Sequence, residues 1–188
     1  GTTFGSDLYN LRPDLLVAGK GMAGGYAAIA GVYGTEEIAA VIADSPFEVM
    51  FHTFAALPQS CAAATKVLQI LREESLVERA KTVGASLKAQ LIETLRQHPN
   101  VAEVRGEGLL IGIEVVKNRD TLEPFAESDR MTTKIVAHAI GEGVFFYPGG
   151  TGDVRDIICI GAPFIITEQD QEKICTTLLA AINHCTNQ

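Results

Sequence analysis

Pro13-Asp14-Leu15-Leu16-Val17-Ala18-Gly19-Lys20-Gly21-Met22-Ala23-Gly24-Gly25-Tyr26 sets one lysine directly after a short apolar run and among residues without bulk. Residues 15–18 are apolar without alternation and end at Gly19, which suits a buried strand. A lysine at such a strand end suits imine formation with a carbonyl carbon. Burial disfavours the charged ammonium and leaves the amine nucleophilic, and the glycines leave room for a planar group. The same residues also read as an ordinary surface lysine beside a glycine-rich turn. Composition alone does not separate the two.

Working outward, residues 27–33 form a second apolar run closed by Gly34. Thr35 then reads as an N-cap, with Glu36 and Glu37 in the first turn and Ile38 and Ile42 on one face. Residues 60–96 contain no proline and a single glycine, Gly84. Their apolar positions, from Val67 through Leu76 and Leu87 to Leu95, recur at three- and four-residue spacing. This predicts one long helix, or two joined near Glu74-Ser75, stopped at His98-Pro99-Asn100.

Beyond that stop the period changes. Residues 101–105 and 109–116 read as strands around Gly106-Glu107-Gly108. Ser128 or Asp129 is placed to cap a helix over 130–141 with Ile135, Ala139 and Ile140 inward. Residues 144–147 and 157–160 read as two more strands. Thr167 caps a last helix whose apolar face carries Ile174, Leu178 and Ile182. The order predicts a small α+β domain with helices on one side of a sheet. The first 60 residues do not build a domain alone, because two strands and a glycine-rich loop bury little without parallel neighbours. They are expected to belong to a larger α/β domain whose N-terminal part is missing or supplied by another chain.

Charge and composition remove several function classes. The formal net charge is -8 and the basic residues are scattered, so no stripe suits nucleic acid. Residues 15–33, the longest weakly polar stretch, are broken by Lys20 and glycines and do not read as a membrane span. The start, Gly1-Thr2-Thr3-Phe4-Gly5, lacks a signal-peptide pattern. Cys61, Cys159, Cys175 and Cys185 have no CxxC spacing, and the four histidines lie far apart. No metal site is expected, and free thiols in a reducing cytoplasm are the reading. Gly19-Lys20-Gly21 is not a Walker loop, and Ser60 and Ser86 lack the context of a nucleophile elbow.

The lysine segment resembles the class III (ornithine-aminotransferase-like) aminotransferases that use pyridoxal 5'-phosphate (PLP). Their motif is close to P-D-x-x-x-x-G-K-x-x-x-G-G, and Pro13, Asp14, Gly19, Lys20, Gly24 and Gly25 match it in register. The resemblance implies that Lys20 forms the Schiff base with PLP, is displaced by the substrate amine, and then moves a proton, with PLP as electron sink. Three later stretches resemble the same family in the same order. His52-Thr53-Phe54-Ala55-Ala56-Leu57-Pro58 resembles T-[FY]-x-x-x-P, which implies that Thr53 contacts the cofactor phosphate across a homodimer interface. Arg105-Gly106-Glu107-Gly108-Leu109 resembles R-G-x-G-L, with glycines for a tight turn and Arg105 available to a cleft. Ala162-Pro163-Phe164-Ile165-Ile166-Thr167 resembles P-P-[LF]-x-[IV]-[TK], with Ala162 in place of the first proline.

The resemblance covers nearly the whole chain and implies the C-terminal part of PLP-dependent transferase fold type I, an α/β fold. Residues 1–71 would end the large PLP-binding domain, and residues 72–188 would form a linking helix and a small C-terminal α+β domain. In the family the aspartate for the pyridine nitrogen, the phosphate loop and the ring-stacking aromatic lie upstream of the position of Gly1, so this chain alone is expected to be inactive. Relatives that bind an α-carboxylate often carry an arginine where this sequence has Cys159, and a thiol cannot make a guanidinium's bidentate pair. With Tyr147-Pro148-Gly149-Gly150 and Asp156, this resembles the ω-transaminase branch. The implied donor is an amine or ω-amino acid and the acceptor a 2-oxo acid such as pyruvate. Arg155 reads either as the ligand of the acceptor's carboxylate or as a solvated loop arginine. The alternative is a non-catalytic shortened relative acting as a dimerisation or binding module. Another PLP reaction on the same lysine also stays open.

Overall fold

The structure, a computed structural model, describes residues 1–47, 52–152 and 154–186, and the chain divides into units over Thr2–Val77 and Glu78–Gln188. In the first unit, a short helix α1 (Gly5–Leu8) leads to strands β1 (Leu15–Gly19) and β2 (Ala30–Gly34). Helices α2 (Glu36–Ala43) and α3 (Pro58–Glu73) follow. β1 and β2 pair antiparallel with each other, Leu15 opposite Gly34 and Gly19 opposite Ala30. The apolar runs suggested buried strands with parallel neighbours. Instead Val17 is 76% exposed and Val32 68%, because among the described residues little packs on the faces of this two-stranded ribbon. The second strand also starts three residues later than its apolar run. Thr35 caps α2 as expected, its Oγ1 accepting from the Ile38 N–H at 3.5 Å.

A 3₁₀ turn over Lys20–Ala23 joins the ribbon to Gly24 and Gly25, both at positive φ (57° and 82°) where side chains are disfavoured. α3 packs against this turn. Ala23 is fully buried, and a Cβ on Gly24 would meet Val67 Cγ2 at 3.2 Å.

The long apolar periodicity resolves into two helices, α3 and α4 (Leu76–Leu95). The break falls at Glu74-Ser75, where Ser75 takes φ 52°. In the second unit a four-stranded antiparallel sheet has the order β3-β4-β6-β5. Its strands are β3 (Val101–Glu107), β4 (Leu110–Val115), β5 (Tyr147–Thr151) and β6 (Val154–Gly161). One face packs on α4, α5 (Met131–Gly141) and α6 (Glu168–Thr186), giving one core that includes Leu87, Leu91, Ile113, Ile135, Ile158 and Leu178. This is the expected α+β layout. Alternation does the sorting: along β6, Asp156, Ile158 and Ile160 are buried while Arg155, Ile157 and Cys159 are only half-buried.

Three local expectations change. Residues 144–146 are not strand. The chain leaves α5 through Gly143 and drops Phe146 into the core before β5 begins at Tyr147. β5 is an edge strand, which is why Pro148 is tolerated there. Ile140 is 54% exposed and Val136 takes the inward place beside Ile135 and Ala139. Neither Ser128 nor Asp129 caps α5: Asp129 Oδ2 accepts instead from the Ala126 N–H, and Arg130 stands at the N-cap with φ 49°. Thr167 caps α6 as expected, its Oγ1 accepting from the Asp170 N–H at 3.2 Å while Asp170 Oδ2 accepts from the Thr167 N–H at 2.8 Å. Among the described residues, no helix is long and apolar enough to cross a membrane.

Candidate functional site

Lys20 is the first residue of the 3₁₀ turn and holds φ 51°, a left-handed conformation that costs a non-glycine residue about 1–2 kcal/mol. The register fixes where the turn begins, because Gly19 closes the ribbon opposite Ala30. Lys20 is exposed, not buried as the imine argument assumed, since the ribbon leaves its own end uncovered.

The lysine opens onto a cavity of about 840 Å³ within the first unit. One wall is Gly25 with residues 27–30; the other is residues 54–57 with Ser60 and Cys61 at the start of α3. Most of these are alanine or glycine, which leaves flat space beside the amine. Ala56, like Lys20, holds a positive φ (51°), so two strained non-glycine residues line one cavity. Backbone strain of this kind gathers at functional sites.

Thr53 lies in the exposed turn just before this wall, and the four residues after it line the cavity while Thr53 itself does not. The structure therefore brings Lys20 together with the turn that Thr53 opens. Arg155 belongs to the other unit, on β6, where its Nε donates to the Gly152 carbonyl at 2.8 Å and braces the β5–β6 turn.

Ser60 is a residue that sequence reasoning dismissed. It is only 8% exposed and lines the cavity. Its signal was its place as third residue of a helix opened by Pro58 and lacking a side-chain cap at Leu57. The residues present fit one end of PLP, with the Lys20 amine at the cavity wall for the aldehyde. Among the described residues, no aspartate or glutamate lines the cavity to meet the pyridine nitrogen.

On the sheet of the second unit, Arg105, Gly112, Cys159 and Tyr147 form one row across β3, β4, β6 and β5. Arg105 is engaged by carboxylates, its Nη1 donating to Glu114 Oε2 at 2.6 Å and to Glu103 Oε2 at 2.7 Å. The hydrogen bond to Glu114, ahead of that to Glu103, holds its pKa above the ordinary arginine value. The Cys159 thiol lies where a Cβ on Gly149 would come within 2.7 Å of it, so its neighbour in β5 must stay small. Of the four histidines, which lie far apart in sequence, His138 and His184 are brought together and stack with ring centroids 4.4 Å apart.

The sequence model of the family described as "Aminotransferase class-III" matches residues 1–182, and the chain belongs to that family. Its fold is that of part of the fold type I transaminases. An ω-transaminase from Thermomicrobium roseum, (S)-enantioselective and thermostable, superposes with a TM-score of 0.90 at 31% identity, covering 98% of this chain and 40% of that one. The chain is 35% identical over 185 residues to the uncharacterized aminotransferase YhxA of Bacillus subtilis, 95% of this chain and 40% of the relative. It is 32% identical over 191 residues to a taurine–pyruvate aminotransferase of Rhodobacter capsulatus, 97% of this chain and 41% of the relative. The chain thus spans about 40% of the length of the curated relatives it matches.

Proposed function

We propose that this chain carries the lysine end of a PLP-dependent transamination site, in which an amino group passes from an amine or ω-amino acid to a 2-oxo acid such as pyruvate. The observation that carries the reading is Lys20 held in a strained turn at the wall of a cavity lined with small residues. PLP, when bound, supplies an electron sink for the carbon that loses its proton. Lys20 would hold the cofactor's aldehyde through Nζ and, when freed by an incoming amine, would carry a proton between the amine-bearing carbon and the cofactor. Thr53 serves as a phosphate ligand in a homodimer, and Arg155 as the partner of the acceptor's carboxylate. Residues 1–71 and 72–188 form the two functional parts, in a cytoplasmic enzyme.

The second unit supports the donor class. Cys159 offers no charge to a carboxylate, and its row neighbour Arg105 is already shared by Glu103 and Glu114. An α-amino acid finds no spare guanidinium from either, which supports an amine or ω-amino acid.

The test is to mix the chain with PLP, reduce with borohydride and map the pyridoxyl mass by peptide mass spectrometry. Near-stoichiometric label on Lys20, with little on Lys66 or Lys81, is expected. Label spread evenly over the lysines would overturn the reading and turn attention to a non-catalytic module, to be sought by its self-association.

A further inference from the structure

His138 and His184 each stand in the last turn of a helix, α5 and α6, and the fold brings those two turns side by side. The planes of the stacked rings lie 25° from parallel. His138 is half-buried and His184 exposed, so the pair is open to solvent. Neutral imidazole is a good ligand for divalent transition ions such as Zn2+ and Cu2+. With Zn–N bonds of about 2.0–2.1 Å, the two nitrogens of a chelating pair stand roughly 3–4 Å apart. Rings whose centroids are already 4.4 Å apart reach that bite by a small tilt about their Cβ–Cγ bonds.

Electrostatics favours a cation at this place. The dipoles of α5 and α6 both leave partial negative charge at their last turns. Glu142, the C-cap of α5, adds a carboxylate one turn beyond His138, while Lys134, one turn before it, opposes. The chain as a whole carries a formal net charge of -8. Among the described residues, no group of three or more His, Cys, Asp or Glu side chains is placed to hold a metal ion. The site is therefore one of two protein donors, with water in the remaining positions. Residue spacing does not reveal it, because the donors lie on different helices.

We infer that His138 and His184 bind a divalent transition ion of the Zn2+ kind and through it fasten the last turn of α6 to α5. Helix ends fray, and an ion held only by the folded chain stabilises it according to its occupancy. The inference is independent of the Lys20 site.

The experiment titrates the chain with Zn2+, with Mg2+ as an oxygen-preferring control, and follows the histidine ring 15N resonances by NMR. The rings of His138 and His184 should shift together at one affinity, while those of His52 and His98 hold their positions. Calorimetry should show that His138→Ala and His184→Ala each weaken Zn2+ about tenfold or more, with the double variant losing no more than either single one. Zn2+ should raise the Tm of the wild type more than that of either variant, and Mg2+ should do none of this. Circular dichroism checks that the variants keep their helices. Zn2+ that shifts neither ring, or only one of them, overturns the site. So does equal binding by wild type and both variants, which would place the ion on the accessible thiols of Cys61 or Cys159.

Discussion

The Asp156 carboxylate caps a helix from a strand: its Oδ1 accepts from the Thr132 N–H at 3.1 Å and from the Thr132 hydroxyl at 2.8 Å. Thr132 is the second residue of α5 and Asp156 lies on β6, 24 residues away. Both are buried. The negative group sits at the positive end of the helix and satisfies a backbone donor that Arg130 leaves open.

Replacing that carboxylate with alanine removes the cap and strands a buried N–H and hydroxyl. Asp156→Ala is expected to cost about 2–3 kcal/mol, the sum of a lost cap and unpaired buried donors. Asp156→Asn keeps one acceptor oxygen and should cost less. Urea unfolding of the three chains checks both the size and the order. A loss for Ala no larger than for Asn would refute the capping role.

Gly84 in α4 is fixed by contact, not by backbone angle. A Cβ there would lie 2.2 Å from the carbonyl carbon of Gly108, so α4 is pressed on the hairpin between β3 and β4. Gly84→Ala raises helix propensity by about 1 kcal/mol, yet the overlap falls on backbone that cannot step aside. The net expectation is destabilisation by about 2 kcal/mol. A higher melting temperature for Gly84→Ala would show that the hairpin gives way.

What the sequence made legible was local. The 3.6-residue period marked α3 and α4, the turn chemistry marked the β3–β4 hairpin, and Thr167 with Asp170 marked the start of α6. Each signal lies within a few residues of the feature it specifies. The Asp156 cap was not legible, because its partner is on another element and Arg130 at the N-cap is an unhelpful residue. The antiparallel pairing of β1 with β2 was missed for a related reason. A continuous apolar run looks the same whether its neighbours are parallel or antiparallel, and which it takes is settled by chain reversal through Gly24 and Gly25. At the site, Lys20 stood out by motif, whereas Ser60 gained meaning only from its burial at a cavity wall.

The four free thiols differ in what surrounds them. Cys61 is exposed, Cys159 half-buried, and Cys175 and Cys185 buried. Burial pushes the thiols of Cys175 and Cys185 up, outweighing the Thr94 hydrogen bond to the first and the Lys134 charge near the second. Because the thiolate is the reactive form, a disulfide reagent near neutral pH should modify Cys61 first and Cys159 more slowly. Cys175 and Cys185 should react only on unfolding. Peptide mapping of a time course reads the order, and early label on Cys175 would show that the core between α4 and α6 opens.

His98 couples the second unit to pH. Its Nδ1 accepts from the Asn100 N–H at 3.1 Å, so the ring proton sits on Nε2 and is donated to Asn183 Oδ1, also at 3.1 Å. The residue is buried, and that burial lowers its pKa below 6.5 against the smaller upward pull of Asn183. The folded chain therefore holds His98 neutral where the unfolded chain takes up a proton. Above about pH 6.5 both states are neutral and the contribution is fully present. As pH falls from there through the lowered native pKa, the unfolded state binds the extra proton and stability is lost. His98→Gln does not titrate at this position and offers polar atoms to Asn100 and Asn183. Its unfolding free energy should fall less steeply than that of the wild type below about pH 6.5. Parallel curves for the two chains across that range would place the pH dependence elsewhere.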